Sequence, residues 1–181
     1  MKFSDLVFFF LLKKGKLTRE NVIQLIEAGI NTGVFDYEES RTIRNIINLR
    51  KVKAKDIMIP RVFVTTVSEE LTISEFQTEL LSKTFLHFPV YSLHKNTITG
   101  YVSKQDVFES LLTDDKEVRI GEIKQNVLLV SEDESAYYVW TKLMGQDIKL
   151  VIVVDSFDEF QGIISIEDIT ETVVSPGLIN G

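Results

Sequence analysis

The stretch Gly162-Ile163-Ile164-Ser165-Ile166-Glu167-Asp168 reads as a buried strand that turns directly into a helix. Ser165 stands at the helix start, and Asp168 follows three residues later. The same order of residue types occurs earlier, at Gly100-Tyr101-Val102-Ser103-Lys104-Gln105-Asp106. The offsets agree, since 162 − 100 = 62 and 168 − 106 = 62. One strand-to-helix corner made twice at one spacing marks an internal repeat.

The corner carries chemistry in either of two ways. A helix N-terminus offers unpaired N–H groups and a partial positive charge, which suit an anion such as phosphate. Ser165 adds a hydroxyl, and Asp168 an acceptor-only carboxylate suited to the paired hydroxyls of a ribose. Flanking apolar residues then sandwich a purine. The same residues also make a plain capping box in Asp form, which needs no ligand.

Outward from the corners, each repeat reads β-α-β-β-α. The first opens with Asp56-Ile57-Met58-Ile59-Pro60-Arg61, where Pro60 holds Ile59 extended. Val62 to Val67 is β-branched and strand-like. Thr72 with Glu75 opens a helix with Ile73, Phe76, Leu80 and Leu81 on one face. Phe88 to Tyr91 and Thr97 to Val102 read as strands, and Lys104 to Leu112 as the closing helix.

In the second repeat Val118 to Ile123 answers Val52 to Ile57. A strand from Val127 to Val130 follows, then a helix burying Ala136, Val139, Trp140 and Leu143. Trp140 is read as core, with a partner interface as the other option. Lys149 to Val154 reads as a strand that is apolar throughout after its Lys, as a strand covered on both faces must be. A polar loop, Asp155 to Glu159, leads to the strand from Phe160 to Ile164 and the helix from Ile166 to Val174. A unit of some 60 residues buries too little alone and should pack on its twin. A pseudo-two-fold pair leaves a cleft between facing sheets, with the two Ser-x-x-Asp corners along it.

Residues 1–51 precede the repeats as a helical lead. Thr18 caps a helix to about Ala28 with Val22, Ile23, Ile26 and Ile30 on one stripe. Asp36 with Glu39 opens a second helix, with Ile43, Ile46, Ile47 and Leu49 inward. The apolar run Leu6 to Leu12 is far shorter than the ~20 residues of a spanning helix and is read first as a helix docked on the domain. The division is therefore 1–51 lead, 52–112 first repeat, 113–117 linker, 118–175 second repeat and 176–181 tail.

Composition narrows the function classes. Of 181 residues, 44% are hydrophobic and 26% charged, an ordinary globular balance. With no cysteine there is no thiol nucleophile, disulfide framework or cysteine-ligated zinc. A net charge of −7 argues against broad nucleic-acid binding. The charge divides by position. Residues 1–61 hold 12 Lys+Arg and 7 Asp+Glu, and the remainder 8 and 20, so a basic lead precedes an acidic body.

Catalytic signals are missing. No Ser-His-Asp constellation or Gly-rich phosphate loop appears, and His87 and His94 lack the carboxylates a metal site needs. The chain is read as non-catalytic and metal-free. Arg61 is read first as a solvated surface side chain, with an anion contact in the cleft as the alternative. The acidic loop Asp155, Asp158 and Glu159 is read as solvated, with weak cation binding as the alternative.

Together these residues resemble the paired cystathionine-β-synthase (CBS) domains of the CorC/CNNM, hemolysin-C-like, membrane protein family. The matching stretches are Asp56 to Arg61, Phe88 to Tyr91, Gly100 to Asp106, Val151 to Asp155 and Gly162 to Ile169. The helical lead through Gly33-Val34-Phe35 and Glu38-Glu39-Ser40 looks like the acidic helix pair before such domains. The resemblance implies an α/β fold of tandem CBS repeats. It also implies a regulatory module that binds an adenine nucleotide (ATP, ADP or AMP), with or without Mg²⁺, in the inter-repeat cleft.

Such modules form homodimers and follow a membrane domain linked to magnesium or cobalt efflux, on the cytoplasmic side of the inner membrane. By position, Asp168 takes the ribose and Ser165 a hydroxyl or phosphate. Ile57, Ile59, His87, Phe88, Pro89 and Ile164 line that pocket, and Ser103 and Asp106 form its counterpart. A ligand-free dimerisation scaffold is the alternative function. Three positions depart from the family pattern. Ile59 replaces a Thr, His87 replaces an Arg and so carries no fixed charge near pH 7, and the Asp155 to Glu159 loop has no glycines.

Overall fold

The computed structural model describes residues 18–82, 85–94, 97–113, 117–145 and 148–175. The Leu6–Leu12 run and the 176–181 tail, read above as a docked helix and a loose end, lie outside these residues. The described residues divide into two compact units, residues 49–172 and residues 18–48 with 173–175.

In the smaller unit, Thr18 and Asn21 form a capping box that starts α1 (Arg19–Asn31). Asp36 and Glu39 form another that starts α2 (Tyr37–Asn48). Ile26 is buried as its stripe requires, but Ile46 is exposed. The buried positions of α2 are Ser40 and Asn45 instead. Asn45 is inside because its amide donates to the Val173 carbonyl at 2.8 Å, while Arg41 donates to the Val174 carbonyl at 2.7 Å. The last carbonyls of a helix have no partner within it, and these two side chains supply the donors.

The larger unit contains the two repeats. The first runs α3 (Ala54–Ile57), β1 (Ile59–Pro60), β2 (Val67–Ser68), α4 (Ile73–Ser82), β3 (His87–Tyr91), β4 (Ile98–Ser103) and α5 (Lys104–Leu112). The second runs α6 (Ile120–Ile123), β5 (Leu128–Ser131), α7 (Ala136–Gly145), β6 (Leu150–Val154), β7 (Phe160–Ser165) and α8 (Ile166–Val174). Val62 to Val67 is not a strand. Arg61–Phe63 is a turn of 3₁₀ helix, and only Val67 and Ser68 pair. Strand preference reflects fit to a half-buried pleated surface, and Val62 and Phe63 are 78% and 67% exposed.

The duplication is visible in the register. β2 pairs parallel with β3 through Val67↔Val90, and β5 with β6 through Val130↔Val153. β3–β4 and β6–β7 are antiparallel, with an irregularity at Val90/Tyr91 in one and Val153/Val154 in the other. β6 lies between β5 and β7 with all five residues buried, as its unbroken apolar run requires. One core, including Val67, Ile73, Phe76, Phe88, Val90 and Val102, backs the first sheet. A second joins Ile98 and Tyr101 of β4 to Leu150, Ile152, Phe160 and Ile163 of the other sheet.

Each lead-in crosses to the other repeat. Ala54 N–H donates to Glu134 and Ala136 N–H to Val52, while Ile73 N–H donates to Val118 and Ile120 N–H to Leu71. Ile120 is accordingly buried in the first repeat's core. β1 pairs antiparallel with β7 through Ile59↔Ile163, and Gln125 bridges Tyr101 in the same sense. This crossing explains the repeated glycine. A Cβ on Gly162 would collide with the Ile59 carbonyl oxygen, and one on Gly100 would stand 2.7 Å from the Gln125 carbonyl oxygen.

Candidate functional site

β7 ends at Ser165 and α8 begins at once, so Asp168 falls in the helix's first turn. Asp168 Oδ2 accepts hydrogen bonds from Ser165 N–H and Ser165 Oγ, both at 2.7 Å. The capping box is therefore complete without a ligand. The second oxygen, Oδ1, takes no hydrogen bond among the described residues. A carboxylate oxygen held in place but unengaged is an acceptor prepared for an outside donor.

Beside it lies a cavity of about 150 Å³. Ile59 comes from β1, Phe85, Leu86 and His87 from the start of β3, Leu150 from β6, Ile163 and Ser165 from β7, and Glu167 and Asp168 from α8. Both repeats contribute. His87 is half-buried and packs edge-on against Tyr101 with ring centroids 5.6 Å apart. Burial pushes its imidazole below the usual histidine value, against the pull of Glu167 and Asp106 and with help from Lys149.

Four of the residues anticipated from sequence meet here: Ile59, His87, Ser165 and Asp168. Phe88 and Ile164 do not, since each is fully buried on the opposite face of its strand. Pro89 is buried beyond the wall and Ile57 lies in α3 behind it. Arg61 is also elsewhere, donating to the Phe160 carbonyl at 3.4 Å and placed to act on Asp155. Period-two counting from Ser165 and His87 selects Ile163 over Ile164 and rejects Phe88. The walls from Phe85, Leu86, Leu150 and Glu167 had no comparable signal.

The corner at Ser103 and Asp106 is built alike but has one further internal partner. Asp106 Oδ2 accepts from Ser103 N–H at 2.9 Å, Ser103 Oγ at 2.7 Å and the Gln125 amide at 2.9 Å. Gln125 is locked further by the Tyr101 hydroxyl, which donates to its Oε1 at 2.7 Å. Matching the lead-ins at Val52 and Val118 sets Gln125 opposite Ile59, because 118 − 52 = 66 and 125 − 59 = 66. A side chain with an amide stands at one corner and donates to its carboxylate, and an aliphatic one stands at the other. Alongside Gln125, Lys124 donates to Glu69 at 2.6 Å and to Thr99 at 2.9 Å. That bond, with hydrogen bonds from Ser92 and Thr99, holds Glu69 well below the usual carboxylate range, at about 2.

Two other candidates resolve without a ligand. Asp155 accepts from Phe157 N–H at 2.8 Å and Glu159 N–H at 3.0 Å through Oδ1, and from Gln161 at 2.7 Å through Oδ2. It organises its own loop. Trp140 is half-buried, edge-on to Tyr137 at 6.3 Å. Among the described residues, no group of three His, Asp or Glu side chains is placed to hold a metal. No helix among them is long and apolar enough to cross a membrane.

Comparison with known proteins gives a consistent neighbourhood. The CBS domain family matches residues 54–113 and 120–175. The magnesium and cobalt efflux protein CorC of Escherichia coli K12 is 23% identical over 156 residues, covering 86% of this chain and 53% of CorC. The chain thus spans about half of that relative. The CBS domain of a bacterial CNNM/CorC family Mg²⁺ transporter aligns with a TM-score of 0.82 at 22% identity, over 87% of this chain and 96% of that one. A structure of such a domain in complex with ATP aligns with a TM-score of 0.72 at 24% identity, over 75% and 96%.

Proposed function

This chain belongs to the CBS domain family, and from that premise we propose that it is a regulatory module whose Asp168 corner binds an adenine nucleotide. The observation that carries the proposal is the open carboxylate oxygen beside a cavity walled by both repeats. A ligand seated there touches Ile59 and His87 of one repeat and Leu150, Ile163 and Asp168 of the other. It favours whichever spacing of the repeats fits it, and so shifts the population of the whole module. The ATP complex of a structural neighbour supports the ligand class.

By the same reading, the module is non-catalytic, pairs with a second copy and governs a magnesium or cobalt efflux-type membrane protein from its cytoplasmic side. The likeness to CorC supports that assignment. Where Mg²⁺ accompanies a nucleotide, it arrives with the phosphates.

A thermal-shift titration tests the site. A ligand at ~100 times its dissociation constant raises stability by ~2.7 kcal/mol. ATP, ADP or AMP, with or without Mg²⁺, should give such a shift, and Asp168→Ala should abolish it. Silence from all three nucleotides would leave the module a dimerising scaffold with an empty corner.

A further inference from the structure

The walls of the Asp168 cavity carry a chemical bias. Its polar members among the described residues are the carboxylates of Asp168 and Glu167, the Ser165 hydroxyl and the His87 imidazole. Its other members, Ile59, Phe85, Leu86, Leu150 and Ile163, are apolar, and no Lys or Arg is among the described lining residues. Arg61 donates to the Phe160 carbonyl at 3.4 Å and is not among the described lining residues. Lys149 acts on His87 but is not part of the wall. At the helix N-terminus the Ser165 N–H is bonded to the Asp168 carboxylate and the Asp168 N–H to the Ser165 hydroxyl.

Taking the Proposed function's site as given, we propose that the corner selects the neutral nucleoside, adenosine or a close analogue, and discriminates against its polyphosphates. The wall offers acceptors: Asp168 Oδ1, the Glu167 carboxylate and one nitrogen of neutral His87. Adenosine presents donors to match, in its ribose hydroxyls and its exocyclic amine. A volume of about 150 Å³ equals that of an engineered apolar cavity that accepts a benzene ring. It seats a base and leaves a phosphate tail outside, next to carboxylates of its own sign. Mg²⁺ relieves this repulsion by neutralising the tail.

The test is calorimetric titration of the full chain with adenosine, AMP and metal-free ATP at low and high salt, and with ATP plus Mg²⁺. Adenosine should bind at least about tenfold more tightly than metal-free ATP, a difference of about 1.4 kcal/mol. AMP should fall between them, and ATP should gain affinity as salt screens the repulsion and again when Mg²⁺ is added. Glu167→Gln should narrow the gap between ATP and adenosine. Metal-free ATP that binds as tightly as adenosine, or weakens with salt, overturns the nucleoside preference and leaves the site standing. No heat from any of the ligands overturns the site and the preference together.

Discussion

The Gln125 amide donates to Asp106 Oδ2 at 2.9 Å, an internal partner with no counterpart among the described residues at Asp168 of the duplicate corner. Ile59 occupies the matching position beside Asp168 and has nothing to donate. One residue difference between two lead-ins therefore gives one carboxylate a side-chain donor that the other lacks. Replacing Gln125 by Ala should free Asp106 and create a second seat, raising ligand stoichiometry from one to two per chain by equilibrium dialysis. A stoichiometry fixed at one would mean that other side chains close that corner.

The crossing of the lead-ins predicts a contrast between glycines. Gly162→Ala places a methyl group against the Ile59 backbone and the Met58 sulfur. Backbone yields poorly, so a loss of about 1–3 kcal/mol is expected in chemical denaturation. Gly145, the last residue of α7, has nothing within 4 Å of the same added atom and a negative φ. Gly145→Ala should gain a few tenths to about 1 kcal/mol from helix propensity. Equal effects would contradict the crossing.

Much of this was legible in advance, because the repeat is written locally. Identical strand-to-helix grammar at Gly100 and Gly162, the apolar run of β6 and the capping boxes at Thr18, Asp36 and Thr72 all depend on near neighbours. What failed depends on distant chain. Val62 and Phe63 have strand-like side chains but no strand to pair with, so they turn. Arg61 donates to a Phe160 carbonyl 99 residues away, a neighbour that no local pattern reveals. Ile163, not Ile164, lines the cavity, in keeping with period-two alternation from Ser165. Gln125 is legible only once the two lead-ins are matched, which sets it against Ile59.

Acid should weaken the fold through Glu69. Its carboxyl is held at about 2, below its ordinary 4.5, first by Lys124. A depressed carboxylate stabilises above its unfolded value and loses that contribution as pH falls toward its folded value. Unfolding free energy should decline between pH 4.5 and about 2, and Glu69→Gln should flatten part of that decline. An unchanged slope in the variant would show that the Lys124 pair contributes nothing.

His87 makes the opposite kind of group, a base kept neutral by burial. Below the ordinary histidine value of 6.5, the unfolded chain takes a proton that the folded chain resists. Stability should therefore fall as pH drops through 6.5 toward the lower folded value, and hold steady above it. Glu167 and Asp106 moderate the effect, and Lys149 reinforces it. His87→Asn should remove this step in urea denaturation followed from pH 7.5 downward. A step that survives the substitution would assign it to another group.

The most direct measurement leaves Asp168 untouched. Ile59→Gln transplants the donor amide into the duplicate corner, where it should reach Asp168 as Gln125 reaches Asp106. Calorimetric titration with adenosine should show one site in the natural chain and none in the variant, with the variant's thermal unfolding still cooperative. A variant that folds and binds adenosine undiminished would show that the ligand seat is not at this corner.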